Sequence, residues 1–354
     1  MITDEGVMRD ASPAAEHALG FPRSLLLWLL FFLVLFGLGY PTLNRYDPRK
    51  LGPDQQSYYN MVLGRATLDN DLPFCFRVLV PELAKPFYML GNGRVRSWDP
   101  VLFGLLISNC IFGATSALLL LLIALRTVKD LTLALLGCTL YLLNHVVHNL
   151  WLAAMVDSSE ACLMLCMTWA LFNRRWWLLP FLGVPGAIAK QSFLPFALFF
   201  SAVWWFTEAR QARGPRRDYR PLAWIAALGV TGGLSLTLVY WLVSGQLVTP
   251  VAVALSWDTG GNFAGKLLHE FTDQNLWYVF GWLLPLGVWR LNRLPRPWVM
   301  ASAATALLVV GVGASADLMG TVNRPLFSVI GPLLSLSTAI LIAERPSPKA
   351  IKQS

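Results

Sequence analysis

Long apolar runs recur along the whole chain, and short polar segments separate them. Many of these runs approach the roughly twenty residues that a helix needs to cross a hydrocarbon core of about 30 Å. The alternating pattern of a membrane β-barrel is absent. The pattern predicts an all-α, polytopic membrane protein of about ten transmembrane helices. The predicted segments are 24–42, 101–125, 131–147, 150–172, 176–189, 193–207, 222–246, 276–290, 298–315 and 325–343.

The first polar segment is much longer than a connection between two membrane helices requires. It covers residues 43–100 and contains the run from Asp54 to Tyr59 and the apolar run from Phe76 to Pro81. Long loops of this kind are usually functional. We therefore expect chemistry on this loop, at the membrane surface, where its apolar runs predict interfacial helices.

Lys and Arg in the short loops indicate an orientation, because basic residues favour the cytoplasmic side. With a cytoplasmic N-terminus, the other side carries only Lys190, Lys266 and Arg324 besides the basic residues of the first loop. Both termini are then cytoplasmic. The predicted parts are a cytoplasmic tail at 1–23, a membrane domain at 24–343 and a second cytoplasmic tail at 344–354. The membrane domain includes the first extracytoplasmic loop at 43–100.

Composition excludes several other classes of protein. Hydrophobic residues make up 56% and charged residues 14% of the chain, with a mean hydropathy of +0.54, whereas roughly a quarter of a soluble domain is charged. The net charge of +8 comes from basic residues in short loops, which is a membrane-orientation signal and not a nucleic-acid surface. The five cysteines form no C-x-x-C pair, and there is no phosphate-binding G-x-x-x-x-G-K-[ST] motif.

Asp54 is the first candidate for chemistry. It follows Gly52-Pro53 and precedes a run that predicts a short helix. As a helix N-cap it would have a purely structural role. As an exposed carboxylate at the membrane surface it would be a general base or a metal ligand. Local sequence leaves both interpretations open.

Two other patterns suggest metal binding, and both have structural alternatives. Asp69 and Asp71 have the D-x-D spacing that can hold a divalent cation, but such a sequence is also ordinary turn chemistry, which we favour. His145 and His148 lie three residues apart, and Asp157 or Glu160 would supply a third ligand. Interfacial hydrogen bonding by these histidines is the simpler expectation.

Charged residues within apolar surroundings form the next group. Asp157 and Glu160 fall inside a predicted membrane segment at i, i+3 spacing, where ionisable residues carry a high cost and indicate function. Lys190 separates two short segments and marks a break between helices. We expect Lys190 either to form a salt bridge with Asp157 or to contact a phosphate. The same two roles are considered for Arg324.

Arg77 is the remaining basic candidate. It stands alone in an apolar run that contains Phe76 and Pro81. Its planar guanidinium group is suited to grip a phosphate with two parallel hydrogen bonds. The alternative is snorkelling into the headgroup layer. Both interpretations bring Arg77 to the depth of a lipid phosphate.

The order of these features resembles the GT-C superfamily of polytopic membrane glycosyltransferases. The similar motifs are an Asp followed by a Tyr pair in the first loop, an Arg before a Pro, an intramembrane Asp, a Lys-containing segment and an Arg near the last helix. Here they are Asp54 with Tyr58-Tyr59, Phe76 to Pro81, Val156-Asp157-Ser158, Ala189 to Phe193, and Asn323 to Phe327. The chain departs from the pattern at Gln191, where the family has an acidic residue.

The resemblance implies an enzyme that moves a sugar from a polyprenyl-phosphate carrier to an envelope glycan or lipid acceptor, in a bacterial inner membrane. Asp54 would be the catalytic base, and a divalent cation, Mg²⁺ or Mn²⁺, is an optional cofactor. The residues expected to bind substrates are Tyr58, Tyr59, Arg77, Asp157, Glu160, Lys190 and Arg324.

Two other functions remain open. A transporter or flippase for a lipid-linked or anionic substrate would use Asp157, Glu160 and Lys190 as a relay within the membrane. An internal repeat would favour that function, and the sequence contains none that we detect. A non-catalytic scaffold subunit would use the first loop to dock a membrane-protein partner.

Overall fold

The computed structural model describes residues 20–45, 47–66, 74–94, 97–211, 218–247, 262–315 and 322–344. Within these residues the chain is helical and has no strand, which confirms the all-α prediction. The α-helices are α1 (Phe21–Arg45), α2 (Pro53–Val62), α3 (Leu79–Gly91), α4 (Pro100–Val128), α5 (Leu131–Leu142), α6 (His145–Asn149), α7 (Asp157–Phe172), α8 (Leu179–Ala189), α9 (Phe193–Gln211), α10 (Arg220–Ser244), α11 (Phe263–Thr272), α12 (Gln274–Phe280), α13 (Leu283–Val288), α14 (Arg296–Ser315) and α15 (Asn323–Ala343).

Five of the described helices are long and apolar enough to cross a membrane, namely α1, α4, α10, α14 and α15. A sixth crossing results if α5 and the segment His145–Ala153, which meet at a bend of 44°, are one broken span. The chain therefore has the apolar helices of an integral membrane protein. The predicted count of about ten is not confirmed, because several predicted segments form short or interrupted helices.

Two interruptions show what hydropathy could not reveal. The predicted segment 276–290 divides into α12 and α13, which are separated by a turn at Gly281 and Trp282. The predicted segment 150–172 yields a helix only from Asp157, after a 3₁₀ turn over Trp151–Ala153 and a left-handed residue at Ala154 (φ 67°). Apolar composition indicates which residues are buried, but it does not indicate where the helices are interrupted.

The centre of the bundle is α15, whose most apolar window is 78% buried, whereas that of α1 is only 17% buried. Helix α15 packs against α5, α7, α13 and α14. Helix α4 packs against α1, α3, α5 and α7. The loop helices α2 and α3 thus rest on the N-terminal end of α4, and Asp99 caps that end by accepting hydrogen bonds from the backbone N–H groups of Val101 and Leu102.

Small residues allow the closest helix contacts. A Cβ atom built on Gly183 of α8 would lie 2.9 Å from the Leu228 carbonyl oxygen and 2.7 Å from the Thr231 hydroxyl oxygen, both on α10. Membrane helices associate through such small residues because lipid supplies no hydrophobic force between them. The α8–α10 contact therefore depends on the absence of a side chain at position 183.

We predict that Gly183→Ala destabilises the protein by about 1–3 kcal/mol, the usual cost of overpacking. The measurement is the thermal unfolding midpoint in detergent. Gly233→Ala on α10 is the matched control, since nothing lies within 4 Å of a Cβ atom there. An equal midpoint for the two variants would contradict the packing argument.

Candidate functional site

Helix α2 begins so that Asp54 is in its first turn. Gly52 is the N-cap residue, Pro53 is the first helical residue, and the Gln55 side-chain oxygen accepts a hydrogen bond from the Gly52 N–H at 2.9 Å. The interpretation of Asp54 as the N-cap is therefore wrong. Asp54 is the second residue of the helix, and its carboxylate contacts a partner that is distant in sequence.

That partner is Arg324, in the first turn of α15. Its Nη1 atom donates to Asp54 Oδ2 at 3.0 Å and lies 3.8 Å from Asp157 Oδ2. A cation near a helix N-terminus opposes the helix dipole. The two carboxylates compensate for that unfavourable position, and through Arg324 they connect the first loop to the membrane bundle.

The innermost part of the site is a three-residue ion-pair network. Lys190 Nζ lies 2.6 Å from Asp157 Oδ1 and 3.1 Å from Glu160 Oε2, and the Ser192 hydroxyl donates to Glu160 Oε1 at 2.7 Å. The side chains of Asp157, Glu160 and Lys190 are 2%, 1% and 9% exposed. Both carboxylates lie in the first turn of α7, where the helix dipole favours negative charge.

The predicted break at Lys190 is present and explains how this side chain reaches the network. Lys190 follows the last residue of α8 with extended backbone angles (φ −164°, ψ 135°). Its own carbonyl accepts a hydrogen bond from the N–H of Phe193, which begins α9. The helix therefore breaks at this residue, and the Lys190 side chain meets Asp157 and Glu160 on α7.

These contacts form one continuous chain of alternating charges, which we call the charge cluster: Asp54, Arg324, Asp157, Lys190 and Glu160. An isolated ionised group in a membrane domain is costly, and opposite charges at contact distance reduce that cost. The cluster holds three carboxylates and two basic side chains. Its formal charge is therefore negative by one.

Arg77 lies beside the charge cluster and supplies a further positive charge. Its Nη1 donates to the Tyr58 hydroxyl at 2.8 Å, its Nε donates to Gln191 Oε1 at 3.2 Å, and its guanidinium lies 5.1 Å from the centroid of the Phe74 ring. All of these partners are neutral, and no ion pair joins Arg77 to another described residue. The Arg77 side chain is half-buried, and its guanidinium group is held by these protein contacts.

Tyr58 and Tyr59 are adjacent on α2, but their side chains have different surroundings. Tyr58 is 1% exposed, and burial raises its pKa to about 12, with Asp157 and Asp54 adding to the rise and Arg77 opposing it. Tyr58 is thus a neutral hydroxyl at physiological pH. Tyr59 donates to Asp99 Oδ2 at 2.8 Å, and burial together with Asp99 raises its pKa. Tyr59 anchors α2 to α4 and lies away from the charge cluster.

The structure therefore brings together all of the predicted site residues except Tyr59, while the Asp69–Asp71 pair lies outside the described residues. Sequence reasoning missed Gln55. Its Nε2 atom donates to the Ala153 carbonyl at 2.5 Å, in the segment that precedes Asp157. This contact spans 98 residues of sequence, so no local pattern could have indicated it.

The two histidines do not form a metal site with the carboxylates. His148 Nε2 lies 3.0 Å from the Leu142 carbonyl oxygen, and His145 Nδ1 lies 3.0 Å from Asn149 Nδ2. The His145 ring also stacks on Tyr278. No group of three metal-binding side chains occurs among the residues that the structure describes.

An open groove lies near Arg77, whose neighbours in sequence line it. It lies between the ends of α2 and α10 and the start of α3, and its walls include Met61, Cys75, Val78, Glu82 and Val243. The groove is mainly apolar, and Arg77 lies in the chain segment between its wall residues Cys75 and Val78. An apolar surface next to an arginine suits a ligand with both a hydrocarbon part and an anionic part.

We predict that Lys190→Met destabilises the protein by about 3–5 kcal/mol, because two buried carboxylates lose their shared cation. Thermal unfolding in detergent measures the loss. The triple variant Lys190→Met/Asp157→Asn/Glu160→Gln removes the uncompensated charges and should recover most of the stability. A single variant as stable as the wild type would show that the ion pairs are not formed.

Gln55→Glu replaces the donor to the Ala153 carbonyl by an oxygen, and we predict a loss of about 1–3 kcal/mol. Hydrogen exchange of the α2 backbone should also accelerate, since α2 loses a tether to the bundle. Gln56→Glu is the control, because Gln56 contacts only Asn60 of its own helix. Equal exchange in both variants would refute the tether.

Comparisons with protein-family models, with curated proteins and with solved structures found no match to this chain. The basis for a functional conclusion is therefore the charge cluster and its surroundings. They comprise a carboxylate on a loop helix that pairs with Arg324, a buried tyrosine that accepts from Arg77, and an apolar groove lined by the sequence neighbours of Arg77.

Proposed function

We propose that this protein is a membrane glycosyltransferase that moves a sugar from a polyprenyl-phosphate carrier to an envelope glycan or lipid acceptor. The single observation that carries the proposal is the contact between Asp54 and Arg324 beside Arg77. It puts a carboxylate base next to cations that suit a leaving phosphate. The resemblance to the GT-C superfamily, with its larger number of membrane helices, belongs to the same proposal.

In this proposal the acceptor hydroxyl attacks the anomeric carbon of the sugar and gives its proton to Asp54. The bond between the anomeric carbon and the phosphate oxygen breaks, and the polyprenyl phosphate leaves with the electron pair. Proton removal by a positioned carboxylate contributes to the rate. Arg77 and Arg324 stabilise the charge that develops on the leaving phosphate. No step of this scheme is assigned to a metal ion.

The distribution of basic residues supports an extracytoplasmic position for the charge cluster. Asp157 begins α7, Arg324 lies in the first turn of α15, and Lys190 follows the end of α8. The opposite ends of the bundle's helices carry most of the short-loop basic residues, which favour the cytoplasm. Those residues include Arg126, Lys129, Arg174, Arg175, Arg210 and Arg220. We therefore propose cytoplasmic termini and a bacterial inner membrane as the location.

A transporter or flippase is the second candidate, and one observation favours it. Lys190, Asp157 and Glu160 are all at least nine-tenths buried and connected by ion pairs, as expected for a relay within a membrane protein. Its substrate would be a lipid-linked or other anionic molecule. A scaffold that docks a membrane-protein partner has no comparable observation in its favour.

We predict that Asp54→Asn lowers sugar transfer by at least about 100-fold, the size expected for loss of a general base. The assay uses the purified protein in nanodiscs with polyprenyl-phosphate sugars and an envelope extract as acceptor. Asp47→Asn is the control, because it removes one exposed carboxylate from the same loop and keeps the side-chain oxygen that accepts from the Arg49 N–H.

Two results would contradict the glycosyltransferase. One is full transfer by Asp54→Asn, which would show that this carboxylate is not the base. The other is the absence of transfer by the wild type with every donor while labelled lipid-linked sugar still crosses the bilayer of proteoliposomes. The second result would establish the transporter instead.

A further inference from the structure

Asp54 is the most exposed carboxylate of the charge cluster. Its side chain is 21% exposed, whereas those of Asp157 and Glu160 are 2% and 1% exposed. It is also the only member carried by the first loop, since the others lie on or between helices of the bundle. Asp54 is therefore the carboxylate that can leave the cluster at the lowest cost of rearrangement.

Arg324 holds its two carboxylates unequally. Its Nη1 is at hydrogen-bond distance from Asp54 Oδ2, at 3.0 Å, but 3.8 Å from Asp157 Oδ2. Asp157 has a closer partner in Lys190, at 2.6 Å. If Asp54 moves away, Asp157 remains paired and Arg324 gains an open hydrogen-bonding position that faces the loop side.

Charge balance explains why an anion would take that position. The charge cluster together with Arg77 holds three carboxylates and three cations, so its formal charge is zero. A phosphate that enters without displacing a carboxylate would leave a partly buried site with uncompensated negative charge, which is unfavourable. A singly charged phosphodiester that replaces Asp54 on Arg324 keeps the charge beside the guanidinium constant.

We propose that Asp54 is an internal substitute for a substrate phosphate, and that a lipid-linked phosphate displaces it from Arg324. The identity of the ligand rests on the proposed function. In the resting protein the Arg324 guanidinium holds the Asp54 carboxylate. Phosphate binding between Arg324 and Arg77 frees that carboxylate to accept a proton from the acceptor hydroxyl. The base is then available only when the donor is bound.

The test is binding of radiolabelled farnesyl phosphate to the full-length protein in nanodiscs, which requires no sugar transfer. Removal of the competing carboxylate in Asp54→Asn should tighten binding by about tenfold or more, the effect of losing one hydrogen bond to a charged group. Asp54→Ala should do the same, which guards against a folding defect specific to one variant. Asp47→Asn, which removes an exposed carboxylate of the first loop outside the groove, should bind like the wild type.

Competition separates the two sources of phosphate. If a lipid phosphate is the ligand, inorganic phosphate should displace labelled farnesyl phosphate only weakly. If inorganic phosphate competes as well as unlabelled farnesyl phosphate does, the site takes free phosphate and the lipid assignment is overturned. Equal or weaker farnesyl phosphate binding by folded Asp54→Asn and Asp54→Ala would overturn the displacement itself. Tighter binding by the Asp54 variants, combined with no sugar transfer by the wild type, would support the displacement of Asp54. It would contradict only the proposed glycosyltransferase activity.

Discussion

The ion pair between Asp54 and Arg324 is the contact on which the architecture of the site depends. It joins a helix of the first loop to the central helix of the bundle across 270 residues of sequence. Arg324 also lies close to Asp157, Asp157 pairs with Lys190, and Lys190 pairs in turn with Glu160. The loop is thus held over the bundle by charge, and not only by the apolar packing of α3 against α4.

The same contacts account for the tolerance of so much charge in an apolar protein. Burying an ion without a partner costs several kcal/mol, and a close pair with further hydrogen bonds offsets that cost. Ser192 supplies such a bond to Glu160, and Tyr58 and Gln191 accept from Arg77. The cost of burying these charges and the gain from pairing them are of similar size. A site of this kind can therefore exchange one anion for another with little change in free energy, which suits a binding site for phosphate.

Sequence reasoning found the members of this site because ionisable residues are conspicuous in apolar runs. Asp157, Glu160 and the helix break at Lys190 could all be predicted in that way. The start of α2 could not, because Gly52 and not Asp54 is the N-cap residue, and Gln55 accepts a hydrogen bond from the Gly52 N–H. Nor could sequence choose between Tyr58 and Tyr59, since successive helix residues point about 100° apart and distant partners set the rotation of the helix. The bend after α5 and the break between α12 and α13 also leave no trace in hydropathy.

The displacement of Asp54 from Arg324 can be tested by determining the structure of the protein in nanodiscs, by cryo-electron microscopy with and without farnesyl phosphate. We expect Asp54 to contact Arg324 in the ligand-free protein. With ligand bound, the phosphate should lie between Arg324 and Arg77, with Asp54 displaced and Asp157 still paired with Lys190. A phosphate bound elsewhere while Asp54 stays on Arg324 would show that the phosphate does not displace this carboxylate.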